Sequence, residues 1–270
     1  MRQPANSGSV FDGAAACYDR VRPGYPAAVM PEAIRLAGLG RGDRVLEVGC
    51  GTGQATLPLA REGLEIVALE PGPALARIAQ ARLAGFPNVE VVLEPFEAYG
   101  APHARFAAVI AATSFHWLDP DVRVRRAAEL VRRGGALVLL SNVQRLSFSE
   151  FFERVQAVYQ VHLPEWPARD LAATWSHIPE QIEDVDRGGW FETVAVRTFD
   201  WRVAYPRDRY LELLRTFSDH RSLPEPRLTA LLADIGTLID AEFDGRVVQP
   251  WRTILQVARR SAQGVEVEAS

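Results

Sequence analysis

The chain has 270 residues, 48% of them hydrophobic, with 30 basic and 34 acidic side chains and a formal net charge of −4. That length suits one large α/β domain, or one domain carrying an insertion, and the apolar share is enough for a sizeable core. The basic residues are dispersed, unlike the clustered positive footprint of a nucleic-acid binder, and all are arginine, which removes Schiff-base, P-loop and pyridoxal-anchoring lysines together.

The opening stretch MRQPANSGSVFDG lacks the apolar centre of a signal peptide, and no apolar run reaches the ~18 residues of a membrane span. The expectation is a soluble cytoplasmic protein with neither a membrane nor a nucleic acid as partner, a monomer or a homodimer. Cys17 and Cys50 do not make a disulfide framework. Residues 1–40 read as an N-terminal helical lid.

The most informative segment is VLEVGCGTG, residues 45–53. A short apolar run interrupted only by Glu47 ends in Gly49, Gly51 and Gly53, and a helical pattern over 54–62 follows. Glycines permit positive φ and close approach of the backbone to a ligand. A helix beginning directly after them would turn its unpaired N–H groups and positive dipole end toward the same place. The next strand, EIVALE, ends on Glu70, where a carboxylate can accept from both hydroxyls of a ribose. The unit reads as a nucleoside-cofactor site. Its G-x-G-x-G spacing places Gln54 where the dinucleotide fingerprint wants its third glycine. Glu47 in the same pocket disfavours a pyrophosphate and favours an ammonium group.

Further strands are predicted at VEVVLE (89–94), FAAVIAA (106–112) and ALVLLSN (136–142), with helices over 73–84 and 121–132. Near-continuous apolar runs suit strands buried on both faces of a parallel sheet. Strand–helix alternation over 44–142 predicts a doubly wound sheet with ligands at the carboxyl ends of its strands. Beyond Asn142 the rhythm changes. Residues 148–188 look helical, TVAVRTFDWRVAY reads as a strand, 207–243 as two helices separated by LPEP, and VVQPWRTILQVARR as a last strand. The organisation expected is a core over 41–145, a helical cap insertion over 146–192, strands and helices completing the core over 193–260, and a polar tail over 261–270.

The VLEVGCGTG segment, followed by the acid at the tip of ALEPGP, resembles motif I and the ribose-binding acid of class I S-adenosylmethionine-dependent methyltransferases. VRRGGALVLL resembles that family's approach to its fifth strand. SFHWLD (114–119) and YDRVRPGYP (18–26) resemble a subgroup that includes trans-aconitate methyltransferase-like proteins. The resemblance implies an α/β, Rossmann-like, seven-stranded sheet, mostly parallel with an antiparallel last strand, plus a helical cap. S-adenosyl-L-methionine is the implied cofactor and S-adenosyl-L-homocysteine the product.

The residues it assigns to the cofactor are Tyr18 and Arg22 in the lid, Glu47, then Gly49, Cys50, Gly51, Thr52, Gly53 and Gln54 in the turn, Glu70 and Pro71 after the second strand, Phe96 and Glu97 around the adenine, and Thr113. Tyr25, His116 and Trp117 are expected to face a small-molecule methyl acceptor. His116, at the carboxyl edge of the fourth strand, is the candidate catalytic base for a hydroxyl acceptor. Arg22 could instead grip a substrate carboxylate through its planar fork, or bond to lid carbonyls. Phe96 suits the core as well as it suits an adenine contact. Cys50 reads as a small turn residue rather than a nucleophile, and no histidine spacing suggests a metal.

The reaction implied is transfer of a methyl group to a carboxylate or hydroxyl by in-line displacement. Two alternatives stay open: a non-catalytic regulator that binds a nucleoside cofactor, and a nicotinamide-dependent oxidoreductase. The intact turn with both acids weighs against the first, and Gln54 with Glu47 against the second.

Overall fold

The apolar runs of the sequence become the strands of one seven-stranded sheet. The computed structural model describes residues 20–145, 149–166 and 183–261. Its strands are β1 (Arg44–Val48), β2 (Glu65–Leu69), β3 (Val89–Val92), β4 (Phe106–Ala112), β5 (Val131–Gln144), β6 (Phe191–Pro206) and β7 (Arg246–Arg260). Their order is β3-β2-β1-β4-β5-β7-β6. Neighbours among the first five strands pair in parallel, and β7 runs antiparallel to both β5 and β6. The fold is α/β and Rossmann-like, with the antiparallel last strand that the sequence suggested. The chain moves outward from β1 through β2 to β3, then crosses back to β4 on the other side of β1. The carboxyl ends of β1 and β4 therefore flank the switch point where ligands bind in open α/β sheets.

Helices cover both faces. They are α1 (Val29–Ala37), α2 (Thr56–Arg61), α3 (Pro73–Leu83), α4 (Arg123–Leu130), α5 (Glu150–His162), α6 (Arg207–Leu214), α7 (Ser218–Arg221) and α8 (Glu225–Glu242). Residues alternate across each strand, so Val45 packs toward α1, α2 and α3 while Leu46 and Val48 pack toward α4. Each Leu, Ile or Val sealed in this way contributes roughly 1.5–3 kcal/mol of burial free energy. A third apolar cluster joins α5, α6 and α8 to Tyr205, Val247 and Trp251 on the β6–β7 ribbon. The carboxyl end of α1 is tied to the sheet by Arg259, whose guanidinium donates to the carbonyls of Ala37 (2.7 Å) and Leu36 (2.8 Å), a favourable place for a cation. Among the described residues no helix is long and apolar enough to cross a membrane.

Several boundaries differ from those expected. The helix predicted from residue 54 starts only at Thr56, because 51–55 form a turn. The helix predicted to 132 stops at Leu130, and β5 begins at Val131, pairing first with Phe106 and then, across an irregularity, with Ala108 through Ala136. β3 is an edge strand and only partly buried, so its apolar run does not signal burial on both faces. The first helix expected over 207–243 divides into α6 and the four-residue α7, because Thr216 turns its hydroxyl onto the carbonyl of Leu213 (2.7 Å). The helical reading of 148–188 is met by α5, and 167–182 lie outside the described residues.

Candidate functional site

The site begins where β1 runs into its glycines. Gly49, Gly51 and Gly53 all have positive φ, at 65°, 59° and 81°. Gly49 is required twice over, since a Cβ there would stand 2.7 Å from Cβ of Ser114. Ser114 cannot easily withdraw, because its hydroxyl donates to the carbonyl of Val48. At Gly53 a Cβ would press on Leu83 of α3 at 3.1 Å, so this glycine sets how closely α3 approaches the turn. The amide of Cys50 donates to Leu69 (2.9 Å), stitching the turn to the tip of β2. From α3, Arg82 reaches across to the carbonyl and hydroxyl of Thr52 (2.8 and 3.2 Å). Behind this turn α2 has only six residues and starts at Thr56. The expected helix-terminus contribution is correspondingly small, and the backbone of the turn itself faces the cavity.

The two acids that frame the turn have opposite surroundings. Glu70, nearly buried, accepts from the amide of Gly51 through Oε2 (2.9 Å) and from that of Gly72 through Oε1 (2.8 Å). Glu47 is fully buried; the Thr56 hydroxyl lies beside its carboxylate, and among the described residues no cation pairs with it. Burial lifts its pKa to about 7; the nearby Thr56 hydroxyl opposes that rise and the charge of Glu70 adds to it. An ionised carboxylate held dry and unpaired is costly, and Glu47 lines the cavity. The pocket therefore has the chemistry to receive a cation at this point. Cys50 also lines it, but burial and the two nearby acids push its thiol pKa well up, which excludes a thiolate nucleophile.

The facing wall comes from the N-terminal segment and the far half of the sheet. Arg22, Tyr25, Thr113, Asn142 and Trp251 line it. The Tyr25 hydroxyl and Thr113 Oγ1 are 2.9 Å apart, and Thr113 sits at φ 60°, a conformation that costs a branched residue energy and collects at functional sites. Asn142 donates to Gly24 (2.9 Å) and accepts from Thr253 (2.6 Å), holding the N-terminal segment against the sheet. Arg22 donates through Nε to Thr216 Oγ1 (3.0 Å) and through Nη2 to the carbonyl of Thr216 (3.1 Å), with its guanidinium 4.7 Å above the Phe217 ring. The partner of Arg22 is thus Thr216, outside the N-terminal lid, rather than the lid carbonyls expected.

The structure thus brings together Arg22, Tyr25, Glu47, Gly49, Cys50, Gly51, Thr52, Gln54 and Thr113. Gly53 and Glu70 stand behind them as framework. Phe96 is buried in the apolar cluster beneath α4, so its core role is the one realised. Glu97 is exposed and accepts from the amide of Asp119 (3.3 Å), and Pro71 is exposed. His116 and Trp117 lie in a short 3-10 turn after β4, exposed and outside the cavity lining, with ring centroids 5.1 Å apart. Partial desolvation and the charge of Arg123 hold the His116 pKa below its usual value. Tyr18 lies outside the described residues. Asn142 and Trp251 were not anticipated. The polar SN that closes the apolar run of β5 was a signal for Asn142, and Trp251 carried none.

The comparisons with known proteins agree with this geometry. Residues 45–135 match the profile of a methyltransferase domain. An uncharacterized methyltransferase of Mycobacterium tuberculosis is 34% identical over 134 residues, 50% of this chain and 52% of that protein. The chain spans about half the length of the curated relatives it matches first. Among solved structures, a candidate type II methyltransferase from Anaeromyxobacter dehalogenans superposes with a TM-score of 0.64 at 24% identity, covering 88% of this chain and 97% of that one. A phosphoethanolamine N-methyltransferase of Haemonchus contortus, solved with S-adenosylhomocysteine, superposes with a TM-score of 0.51 at 15% identity, covering 93% and 58%. Likenesses this distant speak to the fold.

Proposed function

Residues 45–135 match a methyltransferase domain, and we propose that the chain is a class I S-adenosylmethionine-dependent methyltransferase, that the cavity at the carboxyl ends of β1 and β4 binds S-adenosylmethionine and that the protein methylates a small-molecule carboxylate or hydroxyl. The observation that carries this reading is Glu47, a fully buried carboxylate with no cation beside it among the described residues, lining the cavity next to the glycine turn. It suits the α-ammonium of the cofactor and repels a pyrophosphate, so the nicotinamide alternative is not favoured. The amides of the turn and Tyr25 complete the aminoacyl end, and Glu70 at the tip of β2 marks the ribose end.

When bound against Glu47 and the glycine turn, the cofactor would supply an electrophilic methyl carbon for in-line transfer to the acceptor oxygen. What the chain contributes is placement and exclusion of water, and orientation alone can supply several kcal/mol, up to about 7–11 in intramolecular models. The Tyr25–Thr113 and Asn142–Gly24 contacts hold the N-terminal segment over the cavity. A carboxylate acceptor needs no base. A hydroxyl acceptor gives up its proton; His116 stands just after β4 outside the cavity lining, so its role as base requires an acceptor that extends past that lining.

The test is incubation with methyl-labelled S-adenosylmethionine and two acceptor sets, aliphatic carboxylic acids and phenols. Label in a product from either set, with stoichiometric S-adenosylhomocysteine, supports the proposal. Cofactor binding without label transfer to any acceptor counts for the regulator reading.

A further inference from the structure

Trp201, Thr253 and Asn142 form a hydrogen-bonded chain that ends at the cavity. Trp201 Nε1 donates to Thr253 Oγ1 (3.1 Å), Thr253 Oγ1 donates to Asn142 Oδ1 (2.6 Å), and Asn142 Nδ2 donates to the carbonyl of Gly24 (2.9 Å). The strand register brings them together. Asn142 of β5 stands opposite Thr253 of β7, which stands opposite Phe199 of β6, two residues before Trp201. Thr253 is fully buried, whereas Asn142 is half-buried and lines the cavity. The chain runs in one direction only. An indole N–H donates and never accepts, so the Thr253 oxygen receives it and the single hydroxyl hydrogen is left for Asn142. That hydrogen needs an oxygen, which turns Oδ1 toward Thr253. At the other end the Gly24 carbonyl needs a donor, which turns Nδ2 toward the N-terminal segment. A flipped amide would set two oxygens against each other at Gly24 and leave a buried hydroxyl hydrogen facing an N–H.

Resting on the reading that the glycine-turn end holds the cofactor, we infer that Trp201 and Thr253 are positioning residues that hold Asn142 as a hydrogen-bond donor in the acceptor half of the cavity, and that this donor selects a methyl acceptor bearing a carboxylate or carbonyl oxygen over one bearing an ammonium group. The amide nitrogen of Asn142 carries two hydrogens, and Gly24 takes one. The second is left on the cavity side, because Oδ1 is turned into the core toward Thr253. Sheet order sets this donor apart from Glu47. β4 separates β5 from β1, so Asn142 stands about 9–10 Å along the sheet from the strand that bears Glu47 and the glycine turn. A cofactor with its cationic end at β1 leaves the β5 side to the acceptor. Arg22 lines the same wall, with its guanidinium held by Thr216, and its charge also disfavours a cation there. The two ends of the cavity thus have opposite preferences. Neither Trp201 nor Thr253 is among the residues lining the cavity, so a change at either acts through Asn142.

Benzoate, benzamide and benzylamine share a ring and differ in the group it carries. Titrated into the full chain by ligand-observed NMR with S-adenosylhomocysteine present, benzoate and benzamide are expected to bind at least tenfold tighter than benzylamine. Thr253→Val keeps the shape of the side chain but frees the Asn142 amide to turn, and the preference should fall at least fivefold. Thr253→Ser keeps the hydroxyl and should restore it. Asn142→Asp, which puts an oxygen where the nitrogen stood, should reverse the preference toward benzylamine. The side-chain NMR signals of the Asn142 amide read the chain without any ligand: one hydrogen slow to exchange in the wild type and in Thr253→Ser, both fast in Thr253→Val. A merely structural Thr253 would lower the melting temperature of the valine variant and leave the preference as it was. That result, benzylamine bound as tightly as benzoate, or no measurable binding of benzoate would each overturn the inference. S-adenosylhomocysteine titrated alone reads the cofactor site separately. Its failure to bind would sink the cofactor reading, while the probe titrations repeated without it and the Asn142 signals still decide the positioning role.

Discussion

Glu70 accepts the amide of Gly51 at 2.9 Å, so the acid at the tip of β2 builds the turn at the tip of β1. Its other oxygen takes the amide of Gly72 at 2.8 Å. The residue that sequence reasoning assigns to a ribose is therefore also a structural strut. Glu70→Ala is expected to lose both functions: cofactor affinity falls more than tenfold, and stability falls by about 1.5–3 kcal/mol, the range for hydrogen bonds to a charged group. Glu70→Gln, which keeps one acceptor, should fall between. Calorimetric titration with S-adenosylhomocysteine and thermal melts of the three proteins check this. Unchanged melting of Glu70→Ala would remove the strut.

Glu47 imposes a pH dependence whose sign follows from its raised pKa. The ordinary value is 4.5 and the folded-state value about 7, so the folded protein binds the proton more tightly than the unfolded chain. Below pH 4.5 both states are protonated and there is no penalty. Between pH 4.5 and 7 stability declines as pH rises, by at most about 3 kcal/mol for a shift of this size, and above pH 7 the loss is complete. Glu47→Gln removes the decline, so ligand-free melts of wild type and variant should diverge from pH 5 to pH 8 with the variant the more stable. The same variant should bind S-adenosylmethionine 10- to 100-fold more weakly at pH 8. Parallel pH–stability curves would contradict the assignment.

Substitution of the glycines separates two physical effects. Gly49→Ala meets both an unfavourable φ and Ser114 at 2.7 Å, whereas Gly51→Ala meets the φ of 59° alone, with nothing within 4 Å of the added methyl. The expected costs are about 2–4 kcal/mol for Gly49→Ala and about 1–2 kcal/mol for Gly51→Ala. Chemical denaturation of the two variants ranks them. Equal losses would mean that Ser114 moves aside.

His116 lies outside the cavity lining, and its proposed role is a base, so His116→Ala should leave the dissociation constant for S-adenosylmethionine within twofold. Turnover of a hydroxyl acceptor at pH 7 should fall by about 10²-fold or more, with no loss for a carboxylate acceptor. A variant that loses cofactor affinity and turnover in equal measure would show His116 to be a cofactor contact instead.

How much of this was legible in the sequence depends on how local the signal is. The turn from Glu47 to Gln54 is one contiguous segment whose glycines have conformational reasons to be there, and the apolar runs of β1, β2 and β4 state their own burial. The start of α2 was misplaced by two residues because glycine periodicity does not say how many turn residues follow. Trp251 was invisible, and Asn142 marked only by the polar end of an apolar run, for a different reason. They reach the cavity through the antiparallel register that sets Gln144 against Trp251 and Asn142 against Thr253, a relation across more than a hundred residues. The break at Thr216 likewise came from a local side-chain bond that a helical period cannot reveal. His116 was singled out for its place after β4, and that place proved to be beyond the cavity's lining.

The central claim is that Glu47 makes this cavity a site for the cationic end of S-adenosylmethionine. The most direct measurement is calorimetric titration of wild type and Glu47→Gln with S-adenosylmethionine, S-adenosylhomocysteine and NADH at pH 8. The account predicts micromolar binding of both sulfur nucleosides to the wild type, at least tenfold weaker binding to the variant, and no binding of NADH to either. Folded wild-type protein that ignores both sulfur nucleosides, or a variant that binds them as tightly as the wild type, would contradict it.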